Sequence, residues 1–112
     1  MKTIDWDYIK TQYPLAFKFF KETMFPNTKI VTSSVLKLYH IRNLYYFFDS
    51  LGIILTTESL NETQWIGTIQ LRSGFSYSVN GSFTNRHDLE VESFRECFEQ
   101  LNIRLNNLKL RK

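Results

Sequence analysis

The side chains here whose chemistry reaches beyond packing are two histidines, His40 and His87, one cysteine, Cys97, and a scatter of arginines. The histidines lie far apart in sequence, and neither has a second His, Cys or Asp at a recognised ligand spacing, so no metal site is expected. His87 stands beside Arg86 and Asp88 at an expected helix start. It is an acid or base only if a cleft forms around it; otherwise it belongs to a solvated first turn. Cys97 and His87 do not make a nucleophilic pair on one helix, where ten residues at about 1.5 Å each separate them by about 15 Å. The glycines at 52, 67, 74 and 81 never cluster into a phosphate-cradling loop or dinucleotide fingerprint, so no cofactor is expected.

Arginines and aromatic residues offer a second kind of chemistry. Arg86, at a strand-to-helix junction, either binds an anion or pairs with Glu90 one turn later, and the ion pair is the favoured reading. Trp65, Arg72, Phe75 and Tyr77 are placed to stack single-stranded bases, unless a helix covers that sheet face and makes them core. The last basic residues, Arg104, Lys109, Arg111 and Lys112, follow an acidic stretch holding Asp88, Glu90, Glu92, Glu96 and Glu99. Acids early and bases late suit a helix macrodipole, so capping explains the pattern without a ligand. As a nucleic-acid contact, these four would touch only a few phosphates, and binding would be weak and salt-sensitive.

These residues need a scaffold, and the chain has the composition for one. It has 112 residues, of which 16% are aromatic and 22% charged, which suits a single domain spanning residues 1–112 with one core. The net charge is +3 and the pI near 9.1, but the basic residues are spread along the chain apart from the C-terminal group. Cys97 is the only cysteine, which excludes an intramolecular disulfide and fits a reducing interior. The first twenty residues carry Asp5, Asp7, Lys10 and Lys18 among their aromatics. That composition leaves no signal-peptide core and no membrane-spanning run, so a cytoplasmic protein without a membrane partner is expected, and the sequons at Asn61 and Asn80 are read as accidental.

Apolar periodicity predicts the elements. Residues 4–12 read as a short helix that stops before Pro14, and Pro14 opens a second one carrying Leu15, Phe17, Phe19, Phe20, Met24 and Phe25 up to Pro26. This second segment is apolar around most of its circumference, so part of it is expected to remain exposed, with Phe17, Phe20 and Phe25 as the candidate protein interface. Residues 27–32 read as a linker. Ser33 or Ser34 then caps one helix through Leu36, Tyr39, Ile41, Leu44, Tyr45, Phe47 and Phe48, closed by Gly52. Residues 53–57, 65–71 and 75–79 read as three strands of an antiparallel meander. At Asn80-Gly81 the chain either turns back as a fourth strand through Phe83 or continues as one bent strand with a glycine bulge. Asn85, with Asp88 three residues on, caps a long final helix whose apolar stripe is Phe94, Cys97, Phe98, Leu101, Leu105 and Leu108. The order of helices, small sheet and long amphipathic helix packed on it is an α+β pattern.

The run Asn43-Leu44-Tyr45-Tyr46-Phe47-Phe48-Asp49-Ser50-Leu51-Gly52-Ile53, followed by Phe83-Thr84-Asn85-Arg86 and then Glu90, Phe94, Phe98 and Leu101, resembles small uncharacterised proteins of Bacteroidetes bacteria and their phages. Those proteins show a helix ending in Phe-Phe-Asp and Gly-Ile, a short meander, and a helix with Arg, Glu, Phe and Phe at similar spacing. The likeness covers residues 43–105, and Trp6 with Tyr13-Pro14 also fits. This chain departs from the pattern at Tyr46, where an acidic residue is common, and in a longer insert over residues 26–41. The resemblance implies a phage or mobile-element origin and a bacterial host cell, with association with a virion as an alternative place of action, and it supplies no activity. Together with the residue-level reading, it leads us to expect a non-enzymatic interaction or accessory module that binds itself or another protein, with nucleic-acid binding as the alternative.

Overall fold

The computed structural model describes residues 2–28 and 30–110. Helix α1 (Trp6–Gln12) is capped by Asp5, whose carboxylate accepts from the Tyr8 amide at 3.0 Å, and it ends at Tyr13, where the following proline forbids another helical residue. Pro14 opens α2 (Pro14–Met24) without a cap from its own flank. The cap comes from the other end of the chain instead. Asn102 Oδ1 accepts from the amides of both Leu15 and Ala16, at 3.0 and 3.1 Å, satisfying two donors that a helix start leaves free.

The single helix expected between Ser33 and Phe48 is two. Thr32, one residue ahead of the expected serines, caps α3 (Ser33–Leu38) through its hydroxyl, and α4 (Ile41–Ser50) begins afresh. The break lies at Tyr39 and His40, both in extended geometry, where His40 Nδ1 accepts from the Arg42 amide at 3.1 Å and so acts as an N-cap. The bend delivers the Tyr39 ring to Phe20 and Phe25, with centroids 5.3 and 5.6 Å away. The end of α4 is as expected: the amides of Gly52 and Ile53 bond the carbonyls of Asp49 and Phe48, and Gly52 has the left-handed φ of 73° that this closure needs.

β1 (Ile54–Asn61), β2 (Gln64–Gln70) and β3 (Ser76–Ser78) form an antiparallel meander in chain order. Leu55, Ile69 and Tyr77 align across one face, and α5 (Arg86–Leu110) covers it. Phe75, expected on that face, is 63% exposed because it belongs to the tight turn in which its carbonyl accepts from Leu71. After β3 the chain does not reverse. Val79 donates to Gly67, and Trp65 donates to Phe83, both at 2.9 Å, so the strand runs on antiparallel to β2 while residues 80–82 loop out around Gly81 at φ 131°. Of the two readings of Asn80-Gly81, the bent strand with a glycine bulge is therefore the one observed.

Asn85 caps α5 as expected: its Oδ1 accepts from the Asp88 amide at 2.9 Å, and its amide group donates back to the Asp88 carboxylate. Leu89 and Ser93 then lie against Gly67, where a Cβ would come within 3.0 Å of Leu89 Cδ1 and 3.2 Å of Ser93 Oγ. Gly67 is required for that close approach of helix to sheet. Phe94, Cys97, Phe98 and Leu101 are buried, as the stripe predicts, whereas Leu105 is half-buried and Leu108 is 52% exposed, because the last turns extend past the body they would cover.

The expected exposure of α2 is corrected. Phe20 is fully buried, Phe17 is buried and Phe25 is half-buried against the core, and no large apolar residue between 15 and 25 stands exposed. Read alone, the segment has too much apolar surface. In the fold, α1 brings Trp6, the bend brings Tyr39, α4 brings Phe47 and α5 brings Phe98 around it. Phe98 also meets Phe48 at 4.9 Å and Trp6 at 5.7 Å, so its ring has aromatic neighbours on several sides. Replacing it (Phe98→Ala) should cost about 3 to 5 kcal/mol and lower the urea midpoint accordingly. A midpoint equal to the parent's would overturn this packing scheme.

Candidate functional site

The bend between α3 and α4 leaves an open groove of about 970 Å³ between the N-terminal segment, α3 and the first turns of α5. Its floor is apolar, formed by Trp6, Leu36 and Val91, all buried, with Ile4, Tyr39 and Ile41 beside them. Polar groups stand around the rim: Asp5, Asp7, Lys37 and both histidines. Helix α3 is six residues long and sends only Leu36 into the core. Its other apolar side chains face away, leaving Leu38 86% and Val35 43% exposed, and Ile30 just before the helix is 78% exposed.

The structure thus brings His40 and His87, 47 positions apart in sequence, to one groove. Each ring is already engaged. His87 Nε2 lies 2.7 Å from the Lys2 carbonyl, to which it must donate, and His40 Nδ1 accepts from the Arg42 amide. Asp5 is used as the α1 cap. Among the described residues, neither imidazole is hydrogen-bonded to a carboxylate or hydroxyl, and no three His, Cys, Asp or Glu side chains come together as metal ligands. Cys97 is fully buried, and that burial pushes its thiol pKa well up, away from the nucleophilic thiolate. The arrangement offers apolar contact and a few exposed hydrogen-bonding groups.

Adjoining the groove, Arg86 pairs with Glu90 at 3.6 Å, as the helical spacing predicts. Glu90 is a buried carboxylate that also accepts a hydrogen bond from the Tyr45 hydroxyl, a partner the sequence did not single out. Burial, reinforced by that bond, pushes the Tyr45 pKa up to about 12. The proposed base-stacking set is divided by the fold. Trp65 and Tyr77 are half-buried on the helix-covered side, where Gln100 donates to the Tyr77 hydroxyl, while Arg72 and Phe75 are exposed. Of the basic C-terminal residues, Arg104 donates to the Leu51 carbonyl at 2.6 Å and closes the end of α4, and Lys109 is exposed on the last turns of α5. Arg111 and Lys112 lie outside the described residues. No helix among the described residues is long and apolar enough to cross a membrane.

Compared with family models, with curated proteins and with solved structures, the chain has no match. The reading of the groove therefore rests on its own geometry. Sequence reasoning passed over the exposed apolar side chains of this segment: residues 27–32 read as a linker, and the single-helix assignment used the face of Leu36 and Tyr39. The signal was Val35 and Leu38, three apart, a second apolar stripe on a helix with room to bury only one.

The groove contains one orphan polar group. Tyr39 Oη is buried without a hydrogen-bond partner among the described residues, and burial pushes its pKa up to about 12. An unsatisfied buried hydroxyl destabilises the fold, so Tyr39→Phe should raise stability by about 1 kcal/mol, measured by urea denaturation. A loss of stability would show that the hydroxyl is bonded in solution.

Proposed function

We propose that this chain is a non-enzymatic protein-interaction module, in the phage or mobile-element setting that its resemblance implies, and that it holds a partner protein on the face carrying Ile30, Val35 and Leu38. The observation that carries the reading is the exposure of those three side chains on and just before α3, of which Leu38 also lines the apolar groove. Apolar residues gathered on one surface, rimmed by polar groups, are what a docking site presents. The face belongs to the insert over residues 26–41 that sets the chain apart from the proteins it resembles, which fits a partner particular to this chain. The interface thereby moves from Phe17, Phe20 and Phe25 to the next apolar segment along.

Nucleic acid is a weaker fit to the same geometry. Arg104, one of the four C-terminal cations proposed for it, is occupied by the Leu51 carbonyl and helps close the end of α4.

The test is affinity capture from the host with the parent and with a Leu38→Asp, Ile30→Ser variant whose circular dichroism matches the parent's. Both substitutions are at exposed positions, so the fold should survive. The expected result is a specific protein that the parent retains and the variant loses by at least about tenfold, which corresponds to about 1.4 kcal/mol. Equal capture by both would contradict the reading, as would submicromolar oligonucleotide binding that persists at about 150 mM salt.

A further inference from the structure

β1 is an edge strand. Its pairing to β2 places Ile54, Thr56 and Glu58 opposite Gln70, Thr68 and Ile66. On the other side of β2, the main-chain bonds to the strand beyond are made at Trp65, Gly67 and Leu71. Main-chain direction alternates along a strand, so the even-numbered residues of β2 bond β1, and the partners they bond are Ile54, Thr56 and Glu58. The N–H and C=O groups of Leu55, Thr57 and Ser59 therefore point away from the sheet. Among the described residues, no main-chain group of β1 bonds any main chain but β2, and most of the strand is exposed.

An edge of this length is ordinarily blunted by lysine, proline or a central bulge. β1 has neither lysine nor proline, one charge at Glu58, and a bulge only at its far end between Ser59 and Asn61. The edge can also pair with itself. The three outward-pointing residues are symmetric about Thr57, so a second copy running antiparallel across a two-fold axis at Thr57 pairs Thr57 with the partner's Thr57, and Leu55 with the partner's Ser59. Each of these pairs is of the doubly hydrogen-bonded kind. The same register sets Thr56 against the partner's Glu58, keeping the two carboxylates from facing each other directly, and brings exposed Ile54 towards the exposed Leu60 at the partner's bulge.

We infer that this protein forms a homodimer by antiparallel pairing of β1 with β1 of a second copy, centred on Thr57, which makes one continuous six-stranded sheet. The surface is separate from the Leu38 face, so the dimer stands or falls independently of the partner-binding reading, and the Leu38→Asp, Ile30→Ser variant should keep the dimer mass.

The experiment measures mass by sedimentation at micromolar concentration for the parent and for Thr57→Pro. Proline removes an amide that β2 does not use and cannot sit in the middle of a six-stranded sheet. The expected result is a parent with twice the chain mass and a Thr57→Pro variant at half the parent's mass with parent-like circular dichroism. A monomeric parent, or a variant that stays dimeric, would overturn the inference. A measurement independent of how proline is tolerated uses a spin label on Ile54→Cys. Cys97 is buried and should not take the label. The register places the two labelled backbones six residues apart along the paired strands, about 20 Å at roughly 3.4 Å per residue. The absence of a dipolar distance in that range would likewise overturn it.

Discussion

The contact between Phe20 and Phe98 is the joint on which the rest of this structure depends. Their centroids are 5.5 Å apart with the rings nearly perpendicular, the edge-to-face geometry that aromatic quadrupoles favour. Phe20 comes from α2 and gathers Trp6, Phe17, Phe25, Tyr39 and Phe47. Phe98 comes from α5, whose Leu89 and Ser93 lie against the sheet at Gly67. One ring pair thus fuses a helical cluster and a sheet layer into a single core. Asn102, one turn beyond Phe98, reinforces the joint with polar bonds by capping α2 from α5.

What the sequence made legible was whatever local physics decides. The stripe of α5, its Asn85 cap and the Gly52 closure of α4 are each set within a turn or two of chain, and the structure has the cap, the closure and the stripe as far as Leu101. The Tyr39-His40 break was not legible because neither residue is a helix breaker. The apolar period runs smoothly through them, and only the aromatic cluster that receives Tyr39, together with the His40 side chain acting as a cap, selects two helices over one. Asn102 was invisible for a different reason. Its partners lie more than eighty residues away, and nothing at position 102 marks it as a cap. The bulge at Gly81 was one of two locally permitted outcomes, and pairing of Trp65 with Phe83 decides between them.

The candidate site was less legible than the fold, and the error has a physical source. Counting aromatic residues identified the most apolar segment, but a segment that apolar is what a small domain buries first. Phe17 and Phe20 became the core, while Ile30, Val35 and Leu38 stayed exposed, aliphatic residues on or just before a helix too short to turn more than one face inward. Exposure follows from competition for core space, which composition alone does not rank. The same logic applies to the nucleic-acid residues: Arg104 looked free in the sequence because its partner is a main-chain carbonyl at Leu51, and carbonyls carry no sequence signature.

The central claim, that one aromatic contact couples the helical cluster to the sheet layer, is tested most directly by a double-mutant cycle of Phe20→Leu and Phe98→Leu read by urea denaturation. Leucine keeps the apolar volume roughly in place while removing the ring. The account predicts a coupling energy of about 1 kcal/mol between the two substitutions. Losses that add to within about 0.3 kcal/mol would show that the two rings act independently, and would contradict it.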